Sequence, residues 1–414
     1  AARFRLVSSI WGQSYLSGDD NDDNCAYSAQ NALRLEYMGQ YDPVLYPNEY
    51  KQVFTNGTRF NYHPQLASSI PASDSTKTNL YLMYYDQMTN ELRFRAGQMS
   101  NITEFTKPSK TFNVGGDIST VIYGEENVQT INNNYAMEYL FYNTKVVDAS
   151  KLLLPATTLT DNCYRQMFSR CTSLSASTDF SNVTRVGSGS CTSMFAGCTG
   201  ITSIPSLIVG GDYMFSGCIS LTEIPVVRHG YAYMFAGCTA ITSAIINGIS
   251  GGKHMFKGCT SLTGATGTVY PGGKSGCTAM FSGCTALTVA PELPSTALYD
   301  GCYKDMFAYC TSLTTAPDLP ATYAIYKGDR IPEALRPTYY ETDCYERMFY
   351  ECSSLNYVKC LVTNSARWGG IGFRGWLYGV YPTGTFVKSA NSYYGSWTRD
   401  GDGIPENWTV QNAT

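Results

Sequence analysis

Fifteen cysteines are the groups in this 414-residue chain whose spacing could do chemistry. Eight of them, Cys171, Cys198, Cys218, Cys238, Cys259, Cys284, Cys310 and Cys352, each stand three residues after a phenylalanine. Those phenylalanines are Phe168, Phe195, Phe215, Phe235, Phe256, Phe281, Phe307 and Phe349, and a methionine precedes each one. A second set, Cys163, Cys191, Cys277, Cys302 and Cys344, precedes the same Met-Phe pairs by three or four residues. Zinc requires convergent ligands such as a Cys-x-x-Cys pair with histidine nearby. That spacing is absent, and His63, His229 and His254 are scattered, so no metal site is expected. A disulfide within one repeat, such as Cys302 to Cys310, needs alpha carbons within about 7 Å. The other reading is a buried file of reduced thiols, since free cysteine packs as a small hydrophobe.

Other catalytic patterns are missing. The sequence holds no Gly-x-Ser-x-Gly elbow, no His-Glu-x-x-His and no Gly-x-Gly-x-x-Gly after a strand. The stretch from Gly267 to Ser275 approaches a phosphate loop but fails by one residue, inside a repeat with no βαβ frame. The acidic run from Gly18 to Asn24 reads as a solvated loop, lacking the glycine and distal glutamate of an EF-hand. Asp400-Gly401-Asp402-Gly403 reads as a turn. Glycosidase carboxylates come from distant positions, but the weakly charged repeats argue against them. The expectation is a non-enzymatic protein without a cofactor.

Recognition chemistry is better represented. Near the C-terminus stand Trp368, Phe373, Trp376, Tyr378, Tyr381, Tyr393, Tyr394, Trp397 and Trp408. Flat rings with polar tips suit carbohydrate or protein contacts, while the alternative role is to plug the end of a core. Trp376, Tyr378, Tyr381, Tyr393 and Trp397 are the candidates taken from this group for binding.

Elements to carry these groups follow from the repeat. Met-Phe recurs at Met167, Met194, Met214, Met234, Met255, Met280, Met306 and Met348, in steps of 27, 20, 20, 21, 25, 26 and 42. A period of about 20 to 27 residues is one coil of a leucine-rich solenoid. Met-Phe-x-x-Cys-x-x-Leu places apolar groups at i, i+1, i+4 and i+7, one face of a short helical turn. The following Leu221 to Pro225, or Leu313 to Pro317, reads as a short strand closed by proline. Leu140-Phe141-Tyr142-Asn143-Thr144 and Leu377-Tyr378-Gly379-Val380-Tyr381 read as atypical end copies, giving about ten coils. The long step after Met306 holds an insertion near Tyr323 to Pro332. Its Tyr326, Lys327, Asp329 and Arg330 are candidate contacts, because insertions map to loops on one face.

The fold class expected is mainly β with short helical turns: a solenoid over residues 113–375, a C-terminal cap over 376–414, and a small antiparallel β domain over 1–112. Strand signals in that domain lie at 31–37, 79–85 and 91–95. A net charge of -4 offers no footprint for nucleic acid. No apolar run reaches the 18 or more residues of a membrane span. The chain opens on Ala1 without methionine, so a removed start is expected, and any secretion signal would lie there. Sequons at Asn56, Asn101, Asn182, Asn407 and Asn412 carry glycans only in a host that attaches them.

The motif Cys-Tyr-x-x-Met-Phe-x-x-Cys-Thr-Ser-Leu-Thr-x-Ala-Pro-x-Leu-Pro, nearly complete from Cys302 to Pro320, resembles the BspA-like leucine-rich-repeat proteins of Bacteroidales. The lead-in from Phe112 to Leu159 and the closing segment from Gly403 to Val410 resemble theirs as well. The middle coils, from Val183 to Lys274, depart by losing Ala-Pro-x-Leu-Pro and gaining glycines, which puts the flatness of the sheet there in question. The resemblance implies an extracellular or cell-surface adhesin that presents its repeats to a host or bacterial glycan or protein. Similar repeats occur in phage proteins, so the alternative is a virion fibre or capsid decoration docked to other virion proteins.

Overall fold

The computed structural model describes residues 2–8, 33–40, 82–86, 91–95, 104–105, 112–117, 127–131, 137, 141–204, 209–321, 323–325, 343–362, 371–390, 397, 399 and 403–414. They fall in two compact units, residues 1–214 and 215–414.

In the first unit the strands are β1 (Ala2–Ser8), β2 (Leu33–Gln40), β3 (Leu82–Asp86), β4 (Glu91–Arg95), β5 (Glu104–Phe105), β6 (Phe112–Asp117), β7 (Thr130–Ile131), β8 (Val146–Leu153), β9 (Thr158–Leu159) and β10 (Arg185–Val186). β2, β3 and β4 overlap the three segments whose alternating or apolar runs indicated strands. One seven-stranded sheet runs β5-β2-β1-β3-β4-β6-β8. Its β1–β2, β1–β3 and β3–β4 pairs are antiparallel, while β4–β6 and β6–β8 are parallel. The β2–β5 pair is parallel as well, so the sheet is mixed before residue 112 and continues past it into β6 and β8.

Parallel pairing is what a solenoid imposes, because every coil returns in the same direction and stacks on the last. Each coil is marked by its phenylalanine. Phe141, Phe168 and Phe195 mark three coils in the first unit. Phe215, Phe235, Phe256, Phe281, Phe307 and Phe349 mark six in the second, and Leu377 takes the same position in a seventh, ten coils among the described residues. Within each unit the amides of Phe141, Phe168, Phe215, Phe235, Phe256, Phe281 and Phe307 donate to the Met carbonyl one coil later, as Phe168 N–H does to Met194 O at 2.8 Å and Phe256 N–H to Met280 O at 2.9 Å. This register corrects the alignment of the tenth coil by one residue. Phe349 N–H donates to Trp376 O at 2.9 Å, so Trp376 stands in the methionine position and Tyr378 one place after Leu377.

Met-Phe does not form a helical turn. Alternate amides point in different directions: Met255, Lys257 and Cys259 donate three residues back to Gly252, His254 and Phe256, closing tight turns. His254, Phe256 and Gly258 donate instead to Thr278, Met280 and Ser282 of the next coil, at 2.8–2.9 Å. A left-handed residue flanks the pair on each side, His254 at φ 57° and Gly258 at φ 74°, and an α-helix accommodates neither. A helix would also spend every N–H within its own coil. Here half of them bind coil to coil. Among the described residues the only helix is the 3-10 turn Ile371–Phe373.

The second unit contributes β11 (Ser243–Ser250), β12 (Gly264–Tyr270), β13 (Ala297–Tyr299), β14 (Tyr323–Ile325), β15 (Tyr357–Cys360), β16 (Gly384–Lys388) and β17 (Trp408–Asn412). Its longest parallel pair, β11–β12, lies in the glycine-rich middle coils. Loss of proline there leaves backbone N–H groups free to pair, and the irregularity is confined to one register shift between Ile246 and Ile249. The proline-bearing segment after Leu313 makes only isolated bridges, Thr315 to Tyr357 and Leu319 to Cys360.

The core is a file of rings. Phe141, Phe168 and Phe195 stack at 5.0 and 5.4 Å between centroids. From Phe215 to Phe349 the spacings are 5.8, 5.5, 5.5, 5.5 and 5.6 Å, within the range of favourable offset stacking. The 42-residue step between Met306 and Met348 leaves this spacing unchanged. All these rings, and the eight cysteines three residues later, are buried.

Candidate functional site

The cysteines are the first groups to place. All fourteen in the described residues are free thiols and buried. Seven of the eight repeat thiols donate to the phenylalanine carbonyl one coil earlier: Cys171 to Phe141, Cys198 to Phe168, Cys238 to Phe215, Cys259 to Phe235, Cys284 to Phe256, Cys310 to Phe281 and Cys352 to Phe307, at 2.9–3.2 Å. In the first coil Thr144 stands at the cysteine position, its hydroxyl 3.4 Å from the Cys171 sulfur. Cys302 faces Cys344 rather than Cys310. Burial pushes the thiols of Cys238, Cys277, Cys284 and Cys352 up to about 12, far from a nucleophile's range. The role of these groups is structural.

His254 is held neutral: burial, then Lys257 and Lys253, lower its pKa to about 4. Its ring stacks on Tyr233 with centroids 4.4 Å apart. The stretch resembling a phosphate loop is partly strand β12, and its Gly272 packs on the backbone of Gly251, where a Cβ would come within 2.3 Å. Lys274 of that stretch pairs with Asp300 at 2.7 Å. Among the described residues no cluster of three His, Cys, Asp or Glu could hold a metal ion. No helix among them is long and apolar enough to cross a membrane.

The aromatic candidates divide. Trp376 is fully enclosed and Trp397 is only 7% exposed. The two indoles stack at 5.6 Å, Phe373 and Phe386 pack edge-on against them, and Trp376 Nε1 donates to Gly403 O at 2.9 Å. For Trp376 and Trp397 a surface contact is thereby corrected to a plug: these indoles pack with Phe373 and Phe386 inside the apolar end of the ring file. Tyr378, at 52%, and Tyr381, at 48%, are exposed. Tyr326, Lys327, Asp329, Arg330 and Tyr393 lie outside the described residues, as do the acidic run 18–24 and residues 400–402.

Two groups of exposed side chains among the described residues of the second unit are candidate surfaces. On the sheet, Ile245, Tyr270, Val289 and Tyr299 face outward, separated by small or polar neighbours such as Thr266 and Gly264. On the edge beside the Met-Phe turns, coils eight to ten set aromatic side chains next to one another. Tyr309 meets Tyr350 edge-on at 5.6 Å, and Tyr350 stacks on Tyr378 at 5.2 Å. The Arg347 guanidinium lies 4.4 Å from the Tyr350 centroid, and its Nε is 3.1 Å from Asp305. Beside them Lys304 bridges coils eight and nine to Asp343, at 3.3 Å, and to Glu346.

This edge was missed in the sequence because its residues come from different repeats and sit outside the apolar pattern. One signal was present. Tyr142, Tyr350 and Tyr378 occupy the same place, two after the methionine position, where other coils carry Ser169, Ala196, Ser216, Ala236, Lys257, Ser282 or Ala308.

Comparison with known proteins bears on the repeat itself. A family model described as the BspA type leucine rich repeat region matches residues 161–288 and 231–323, in six copies. No curated protein matches the chain. Among solved structures, a leucine-rich-repeat protein of T. pallidum is 16% identical, covers 56% of this chain and 88% of its own, and has a TM-score of 0.24. A leucine-rich cell surface protein from Faecalibacterium prausnitzii A2-165 is 16% identical, with coverages of 69% and 88% and a TM-score of 0.26. A leucine-rich-repeat protein from Bacteroides ovatus ATCC 8483 is 14% identical, with coverages of 81% and 98% and a TM-score of 0.25. With its repeats matched over residues 161–323 and its Met-Phe-Cys positions stacked in register, the chain carries a leucine-rich-repeat region of the BspA type.

Proposed function

We propose that this protein is a non-enzymatic recognition protein of a cell surface, and that it meets a glycan or protein partner along the tyrosine edge of coils eight to ten. The observation that carries this reading is the run Tyr309, Tyr350 and Tyr378, adjacent across three coils, with the Arg347 guanidinium against its middle ring. Tyrosine and arginine dominate the energetics of interfaces. Rings already held by their neighbours lose little freedom when a partner arrives. The sheet face is the weaker candidate, because its large exposed side chains stand apart. A non-enzymatic role is supported by the high thiol pKa values and the neutral His254, which leave these groups poor acids, bases and nucleophiles near neutral pH.

The test is to incubate the labelled full chain with a panel of bacterial and host cells, and separately with a panel of oligosaccharides. Saturable binding to at least one cell type with no turnover of any sugar is the expected result. Sugar hydrolysis, or failure to bind any surface, overturns the reading.

A further inference from the structure

The ninth coil shows how this edge holds a cation. The Arg347 guanidinium rests 4.4 Å from the Tyr350 ring, and the Asp305 carboxylate lies 3.1 Å from its Nε. In the first unit a tyrosine at the same place in its repeat, Tyr142, has the Arg170 guanidinium 5.7 Å from its ring. A ring at this position presents its negative face to a guanidinium, which is the attraction behind cation–π pairing.

The tenth coil repeats the ring without the cation. Tyr378 stands where Tyr350 does, but Gly375 occupies the place of Arg347, with nearly the same left-handed backbone, φ 59° against 53°. Among the described residues no guanidinium or ammonium stands over Tyr378, which is 52% exposed. A carboxylate is close by. Glu351 N–H donates to Tyr378 O at 2.7 Å, and Glu351 Oε2 lies 2.7 Å from where a Cβ on Gly379 would be. Glycine at 379 therefore leaves room for that carboxylate, which has no cationic partner among the described residues.

We infer that Tyr378 and Glu351 form a receptor for a guanidinium group carried by a partner polypeptide, completing in trans the ring, cation and acid arrangement that coil nine makes in cis. This rests on the recognition reading above and narrows the partner to one bearing an exposed arginine. Charge complementarity selects that occupant: an open aromatic face beside a lone carboxylate attracts a cation and repels an anionic sugar or acidic peptide.

The test uses the full chain and two short blocked peptides immobilised for surface plasmon resonance, one with a central arginine and one with citrulline, its uncharged isostere. The arginine peptide is expected to bind about threefold to tenfold more tightly than the citrulline peptide. Tyr378→Leu and Glu351→Gln should each remove that preference. Gly375→Arg should block the site from within, because Arg347 shows that this backbone position accepts arginine and a Cβ there meets only Arg347 Cγ and the Tyr350 ring at ordinary contact distance. Equal binding of both peptides, or a preference that survives all three substitutions, overturns the inference. The two readings fail differently: cell binding that persists in Tyr378→Leu and Glu351→Gln spares the recognition role and removes this site. Arginine selectivity without binding to any cell does the reverse.

Discussion

The Cys284 thiol donates to the backbone carbonyl of Phe256, 3.1 Å away and one coil earlier. That carbonyl already accepts the N–H of Cys259 in its own coil, at 3.1 Å. Both of its lone pairs are thus used in a place water does not reach, and the sulfur fills the volume between stacked coils. Alanine can satisfy neither requirement. Cys284→Ala should destabilise the protein by about 1–3 kcal/mol in urea unfolding, from lost packing together with a lost buried hydrogen bond. Unchanged stability would show that neither the packing nor the hydrogen bond of this thiol holds the coils together.

The thiol file also makes a chemical prediction. Burial holds the thiols of Cys191, Cys238, Cys284, Cys352 and Cys360 near 12. At pH 8 the thiolate fraction of such a group is on the order of one in ten thousand. Native protein treated with a water-soluble disulfide reagent should leave the fourteen described cysteines unmodified, and denaturant should expose them together. Stepwise modification of several of them in native buffer would contradict their enclosure.

Two glycines separate backbone conformation from crowding. Gly258 has φ 74° and nothing within 4 Å of a Cβ, so Gly258→Ala should cost about 1 kcal/mol, the strain of an ordinary residue in left-handed backbone. Gly267 has φ 99°, and a Cβ there would lie 1.8 Å from Ile246 O across the β11–β12 pair. Gly267→Ala should cost about 3 kcal/mol, because backbone must move to admit it. Equal losses for the two, measured by thermal unfolding, would refute this distinction.

His254 predicts the direction of one pH dependence. Its folded pKa, about 4, lies below the ordinary 6.5, because burial and then Lys257 and Lys253 disfavour the imidazolium. Between those values the unfolded chain binds a proton that the folded chain refuses, so the stability from neutral His254 is complete above about 6.5 and is lost as pH falls toward 4. His254→Leu should flatten the denaturation midpoint across that window. A midpoint equally steep in the variant would assign the dependence to other groups.

The fold was legible where one side-chain type recurs at one place in every coil. Phe215, Phe235, Phe256, Phe281 and Phe307 announce a stacked file by spacing alone, and Thr144 in place of cysteine still marked the first coil. Local geometry was harder to read. Apolar groups at Met255, Phe256 and Cys259 satisfy a helical pattern equally well, and only the left-handed backbone of His254 and Gly258 decides for turns. The tenth coil reads one residue late in the sequence because Trp376 replaces methionine and Leu377 follows it. Exposure could not be read from aromatic content either: Trp376 and Tyr378 are two residues apart, yet one closes the core and the other faces solvent. The pairing of Arg347 with Tyr350 and Asp305 depends on the stacking register of coils eight and nine, across a step of 42 residues.

The most direct test of recognition along the tyrosine edge is a comparison of two variants with the wild-type chain on whichever cell type it binds. One carries Tyr309→Ala, Tyr350→Ala and Tyr378→Ala, and the other carries Ile245→Lys and Val289→Lys on the sheet face, both first shown to unfold as cooperatively as wild type. Loss of at least about tenfold in affinity from the edge variant alone is the predicted result. Wild-type affinity in the edge variant, with loss in the sheet variant, would contradict the account and move the recognition surface to the sheet.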